Sequence, residues 1–352
     1  MTAARLTIAL DAMGGDDAPQ MVIKGANIAC KRFPDVHYLL FGDEKRLRPL
    51  LHKAQKLAHR CSIRHTEETV PNDMKPSVAL RQGRQSSMRL AIDAVRDGQA
   101  AGVVSAGNTG ALMAMAKISL RMLAGIDRPA IASFFPTMRG ESVMLDLGAN
   151  VECDANNLVQ FAAMGDVFAR TVLGCEQPLV GILNVGSEEM KGHDEVRAAA
   201  ATLRGGALPI QFHGFVEGDD IPAGTVDVVV TDGFTGNVAL KTAEGTAKLY
   251  TEFLRGAFRS SWVARIGYLF ARHSLQKVRS RTDPRRYNGA ILLGLNGIVV
   301  KSHGGTDAVG FANAIGVAVD MATNRFNDRI RDDLARLSQA AQTAAQPQAA
   351  AI

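Results

Sequence analysis

The chain has 352 residues, 47% of them apolar and 5% aromatic, with one Trp, 34 Gly and 12 Pro. That is enough apolar material for one large α/β domain or two smaller ones, and the aromatic and Gly content speaks against a β-sandwich. Forty Lys and Arg against 35 Asp and Glu give +5, but the stretch from Arg255 to Arg286 alone carries +8 and the other 320 residues sum to −3. A near-neutral body with one basic patch excludes a generally nucleic-acid-binding protein.

Apolar strands alternate with amphipathic helices along most of the chain. Residues 6–10 read as a first strand, followed by a helix at 21–31, a strand at 38–41 and a helix at 45–56. A helix over 77–96, a strand at 102–105 and a helix at 109–123 come next. Two β-rich runs, 131–136 and 142–147, are joined by five residues and read as an antiparallel hairpin. Strands at 179–184 and 226–231 each lead into a helix. This alternation requires a largely parallel sheet covered on both faces. It is read as one α/β domain over residues 1–337, with a basic amphipathic helical excursion at 255–286 and a low-complexity tail at 338–352.

Cys30, Cys61, Cys153 and Cys175 lie far apart without a C-x-x-C pair, which favours reduced thiols in a cytosolic protein over disulfides or zinc. Residues 1–10 lack the charged-then-apolar order of a secretory signal. The longest uncharged stretch, 98–116, holds Gln99, Ser105, Asn108, Thr109 and four glycines, so it is no membrane span.

The loops at the carboxyl ends of these strands are polar and Gly-rich, and ligands of parallel α/β sheets bind at such ends. Asp11–Asp16 (DAMGGD), residues 105–110 (SAGNTG), 145–150 (LDLGAN), 184–192, 232–237 (DGFTGN) and 303–307 (HGGTD) supply six of them, expected at one edge of the sheet. Glycines let backbone N–H groups approach an anion, and a helix N-terminus adds a favourable dipole; taken singly, each loop is equally a plain turn. No two glycines stand two apart and no Gly-Lys pair exists, so neither a dinucleotide fingerprint nor a Walker A loop is present. Free phosphate or a small phosphorylated ligand is the remaining anion.

Nucleophiles are scarce. There is no G-x-S-x-G elbow, and Cys153 is better explained as a packed, inert thiol than as a nucleophile. The eight His show no H-x-x-x-H spacing, so no metal is expected. His303 alone stands in a pocket loop, as a structural hydrogen-bonder or an acid–base group. Lys191, Asn237, Asn108, Asn150 and Thr109 suit an enzyme that holds an anionic nucleophile and polarises a carbonyl without a covalent intermediate or cofactor. In the basic segment, Phe258, Trp262, Ile266, Leu269 and Phe270 recur at helical spacing with Arg265 and Arg272 at the stripe's edge. Such a stripe is either core or an interfacial helix that docks an acidic partner or membrane; the lone Trp and the surrounding charge favour the second.

The opening IALDAMGGDDAP at residues 8–19 resembles the N-terminal signature of bacterial acyl-ACP:phosphate acyltransferases of phospholipid synthesis. SAGNTGA at 105–111, LDLGAN at 145–150, LNVGSEEMKG at 183–192, DGFTGN at 232–237 and GLNGIVVKSHG at 294–304 agree in order and spacing, and the likeness covers roughly residues 5 to 337. The resemblance implies a Rossmann-like α/β/α sandwich related to phosphotransacetylases. It implies conversion of fatty acyl-ACP and inorganic phosphate to acyl-phosphate and free ACP, the product passing to a membrane glycerol 3-phosphate acyltransferase. It further implies a homodimer in the cytoplasm, peripherally attached to an anionic membrane. Lys191 and Asn237 fall on the family's cleft positions. Phosphate is then expected on Asn108, Thr109, Gly110, His303, Gly304 and Gly305, with Asp11, Gly14, Gly15, Asp16 and Asn150 completing the cleft. Trp262, Arg265, Ile266, Leu269, Phe270 and Arg272 would contact ACP or membrane. Two other readings compete: a phosphotransacetylase acting on small acyl-CoA, and a non-catalytic membrane-surface scaffold that binds ACP.

Overall fold

Eleven strands and twelve helices form among residues 5–206, 208–281, 283 and 285–332, which the computed structural model describes. The first third holds β1 (Thr7–Asp11), α1 (Gln20–Arg32), β2 (His37–Gly42), α2 (Glu44–His52), α3 (Gln55–Ala58), β3 (Cys61–His65), α4 (Pro76–Gln82), α5 (Ser87–Arg96), β4 (Gly102–Ser105) and α6 (Thr109–Leu120). The middle holds β5 (Ala130–Thr137), β6 (Gly140–Leu145), α7 (Ala155–Val172), β7 (Leu179–Leu183), α8 (Asp194–Arg204), β8 (Gln211–Val216), α9 (Asp220–Ala223) and β9 (Val228–Val230). The last part holds α10 (Gly233–Arg259), α11 (Trp262–Arg281), β10 (Ala290–Leu293), β11 (Ile298–Lys301) and α12 (Ala308–Thr323). The 338–352 tail read from the sequence lies outside the described residues.

Alternation along the central strands builds the layers. Ile8 and Leu10 of β1, with Tyr38 and Leu40 of β2, join a core with α1, α7, α8 and α12; Ala9, Leu39 and Phe41 join a second core with α4, α5 and α6. The result is an α/β/α sandwich around a sheet of order β3-β2-β1-β4-β11-β10-β5-β6-β9-β7-β8. Phe168 of α7 clasps one face, stacked on Phe134 of β5 at 5.5 Å and edge-on to Phe326 at 5.6 Å.

The sheet corrects one expectation. The pairings β11–β10, β10–β5 and β5–β6 are all antiparallel, while the strands on either side pair in parallel. Three reversals leave β1, β4 and β11 running opposite to β6, β9 and β7, so the six Gly-rich loops form two groups of three that follow oppositely running strands. The helix expected over 77–96 is also broken: Gly83 ends α4, and Ser86 caps α5 by accepting the Arg89 N–H (3.3 Å). Edge strands β3 and β8 escape a sequence reading because exposed polar residues, Ser62, Arg64 and His65 in one and Gln211 and His213 in the other, interrupt their apolar runs.

At 27 residues, α10 is about 40 Å long. Its distal part and α11 form a helical hairpin with exposed apolar side chains among the described residues; Phe253, Trp262, Leu269 and Phe270 are 67%, 73%, 67% and 87% exposed. Phe258 of α10 packs edge-on to Tyr268 of α11 within the hairpin. Not all of the basic patch is free: Arg285 pairs with Asp283 (2.6 Å) and with Asp307 (3.0 Å), the cap of α12.

Candidate functional site

The loops after β1, β4 and β11 converge because these strands are neighbours and parallel. Asp11, fully buried, organises them. Ser87 Oγ donates to its Oδ1 (2.6 Å), Ser105 Oγ to its Oδ2 (2.7 Å), and the Met13 N–H to Oδ1 (3.3 Å). Burial raises the Asp11 pKa, with these bonds opposing. Gly14 is required here, since a Cβ would lie 2.7 Å from the Gly107 amide nitrogen and 2.5 Å from Asp11 Oδ2. The Asp16 N–H donates to the Gly304 carbonyl (3.0 Å), closing the loop after β1 onto that after β11.

Of the residues expected to hold phosphate, Asn108 is committed elsewhere. Its Oδ1 accepts the Ala111 N–H (3.0 Å) and caps α6, and its Nδ2 donates to the carbonyls of Asn72 (2.8 Å) and Met74 (2.9 Å). What it leaves are the N–H groups of Thr109 and Gly110, which have no acceptor among the described residues and lie at the positive end of α6. His303 stands exposed at the rim. Its Nδ1 accepts the Gly305 N–H (3.2 Å), so the neutral ring carries its proton on Nε2. Burial lowers its pKa, and the nearby Lys241, Lys301 and Lys248 charges lower it further against Glu244. A neutral imidazole that offers Nε2–H is a hydrogen-bond donor for an anion.

Lys301 and Lys241 belong to this cluster and were not picked out from the sequence. Lys301 ends β11 opposite Ser105 of β4. Its Nζ donates to the Ser302 carbonyl. Burial pushes its pKa down to about 8, Asp11 and Asp16 resist, and Lys241 adds to the depression. The available signal was a lone charge at the end of the apolar run IVVK, directly before the His303 loop. Lys241 lies one helical turn beyond Asn237.

The second loop group is built differently. Asp146, fully buried, accepts the N–H groups of Gly148 (3.2 Å), Ala149 (3.0 Å) and Asn150 (2.7 Å), and the Ile131 N–H (2.9 Å). The amides of this loop therefore face an internal carboxylate. The Asn150 side chain is likewise spent, on the Pro129 carbonyl (2.7 Å) and Asp146 Oδ2 (2.9 Å). The first turn of α10, capped by Asp232 through the Thr235 N–H (2.8 Å), packs onto this loop at Gly236, where any side chain would run into the Asp146 carbonyl. Asn237 is exposed, with one amide hydrogen on the Leu147 carbonyl (3.2 Å). The helix α10 links the two groups: it starts on the Asp146 loop and brings the charges of Lys241, Glu244 and Lys248 within electrostatic reach of His303. Lys191, on the loop after β7, pairs within its own loop, with Glu188 at 3.6 Å. Burial pushes the Cys153 thiol up to about 11, an inert group at neutral pH. Trp262, Arg265, Ile266, Leu269, Phe270 and Arg272 sit on α11, which packs against α10.

A family model described as "Fatty acid synthesis protein" matches residues 6–329. The chain is 69% identical over 341 residues to a phosphate acyltransferase of Rhodospirillum centenum, covering 97% of this chain and 96% of that protein. It is 65% identical over 337 residues to one of Paramagnetospirillum magneticum, covering 96% of each. The chain belongs to the phosphate acyltransferase family. It is thus an acyltransferase of the fatty acid synthesis class. Among solved structures, a phosphotransacetylase from Streptococcus pyogenes superposes with a TM-score of 0.62 at 17% identity, covering 91% of this chain and 94% of that one. One from Staphylococcus aureus gives 0.60 at 17% identity, covering 90% and 94%. The shared fold is a phosphotransacetylase-like α/β fold. No helix among the described residues is long and apolar enough to cross a membrane.

Proposed function

We propose that this acyltransferase moves the acyl group of a fatty acyl-ACP onto inorganic phosphate, releasing ACP and an acyl-phosphate that feeds glycerol 3-phosphate acylation. The observation that carries the reading is the convergence of three Gly-rich loops, one carrying the Thr109 and Gly110 N–H groups that have no acceptor among the described residues and another the Nε2–H of His303. Such a cradle suits a tetrahedral anion. A phosphate oxygen attacks the thioester carbon; the C–O bond forms, the C–S bond breaks, and the proton shed by the phosphate group balances the departing thiolate. Asn237, one of whose amide hydrogens has no acceptor among the described residues, or a backbone N–H stabilises the developing oxyanion, and Lys191 offsets charge from the loop after β7. Phosphate is already anionic at neutral pH, so no side-chain nucleophile is needed.

The exposed apolar face of the α10–α11 hairpin supports two further parts of the reading, a homodimer and peripheral attachment to an anionic membrane. Basic residues on α11 suit the acidic carrier as well as anionic headgroups. Incubation of the purified chain with long-chain acyl-ACP and phosphate should release free ACP only when phosphate is present. No release, together with turnover of acetyl-CoA, would establish the small-acyl phosphotransacetylase instead; no turnover of either would leave a scaffold.

A further inference from the structure

We propose that Lys301 is the cation that holds the phosphate in this cleft, a catalytic residue in direct contact with the attacking group. The inference rests on the phosphate-transfer reading above and names the charge that its cradle lacks. Buried charges in proteins are paired, or they are reserved for a ligand. Lys301 lies in a mostly buried position at the carboxyl end of β11, and its hydrogen bond within the chain goes to a neutral carbonyl, that of Ser302. An ammonium has three donors, so two have no acceptor among the described residues.

The acids nearby are engaged. Asp11 has both oxygens on Ser87 and Ser105, and Asp16 accepts from Asn72 Nδ2 (3.0 Å). They keep Lys301 protonated from a distance without forming an ion pair with it. Lys241 from α10 and His303 from the adjoining loop add no negative charge. The position is therefore a mostly desolvated cation at the end of β11, in register with Ser105 at the start of one Gly-rich loop and two residues before the His303–Gly305 loop, with Lys241 adding positive charge against Asp11 and Asp16. Lys191, half exposed and facing Glu188, does not share these features.

The charge state of Lys301 sets the test. Its pKa is about 8 against an ordinary value of 10.5, so the ammonium is lost as pH rises through 8. Calorimetric titration of the full chain with inorganic phosphate alone should show affinity falling by about tenfold per pH unit above that point. Lys301→Met should weaken phosphate about 10- to 100-fold at pH 7 and abolish the alkaline limb. Lys301→Arg, charged throughout, should retain binding and carry it past pH 9; it decides the matter even if the Met variant does not fold. In turnover, kcat/KM for phosphate should fall with the Met variant while KM for acyl-ACP stays put. Unchanged affinity in Lys301→Met, or a limb still near pH 8 in Lys301→Arg, overturns the proposal. Because binding is measured without an acyl donor, wild type that shows the limb but never releases ACP would sink the acyl-ACP reading and leave Lys301 standing.

Discussion

Replacing Asn108 separates a structural amide from a ligand-binding one. Its Oδ1 caps α6 through the Ala111 N–H, a contact worth about 1 kcal/mol. Its Nδ2 holds the carbonyls of Asn72 and Met74, each worth about 0.5–1.5 kcal/mol in a partly buried setting. Asn108→Ala removes all three and should cost about 2–4 kcal/mol. Asn108→Ser keeps an oxygen that can cap the helix and loses only the clamp on residues 71–74, a cost of about 1–3 kcal/mol. Urea unfolding followed by circular dichroism should show both midpoints lowered, Ala further than Ser, with an unchanged slope. Phosphate affinity should stay near wild type in the Ser variant, because the start of α6 and the N–H groups of Thr109 and Gly110 remain in place. If Asn108→Ser loses phosphate as severely as Asn108→Ala while its midpoint is unmoved, the amide touches the ligand and the reasoning fails.

Exchanging Trp262 and Phe270 together for Ser should reduce binding to anionic vesicles by about tenfold or more, since each fully buried large apolar side chain contributes about 1.5–3 kcal/mol. Intact acyl-ACP kinetics in that variant would assign the face to lipid, and unaffected vesicle binding would remove it from the membrane reading. Lys191→Ala should lower turnover by on the order of 10²-fold if it stabilises developing charge; full activity in the folded variant takes it out of the mechanism. Phe168→Ala should destabilise the chain by about 3–5 kcal/mol, read from urea unfolding, because Phe134 and Phe326 both close on that ring. A loss under about 1 kcal/mol would show that the cavity collapses around it.

Much of the architecture was legible in local pattern. Apolar runs such as residues 6–10 and 102–105 could only be doubly covered strands, and the helices between them showed their faces. The polar Gly-rich loops marked the strand ends, and Asp307 and Asp232 stood where helix caps belong. What pattern could not show was which loops meet. Strands β10 and β5, inserted between the parallel groups, reverse the chain direction, and no residue spacing records a pairing between segments some 160 positions apart in sequence. The roles of side chains were equally hidden. Asn108 and Asn150 carry the chemistry of a binding site but are spent on carbonyls and caps, which only their neighbours reveal.

The sequence by itself determined the layered α/β plan, the family and the positions of the Gly-rich loops at strand ends, because strand and helix periodicity, caps and glycine turns are local properties. It also placed the excess charge in one segment. Tertiary structure decided how the six loops divide and that α10, starting on the Asp146 loop, brings charges within electrostatic reach of His303. It also decided that Arg285 of the basic segment is tied to Asp307 whereas Lys301, outside that segment, is the buried cation. The reason is physical: whether a charge is solvated, paired or left for a ligand depends on the dielectric and the partners that distant parts of the chain bring to it, and the sequence around Lys301 is the same whether it is buried or not.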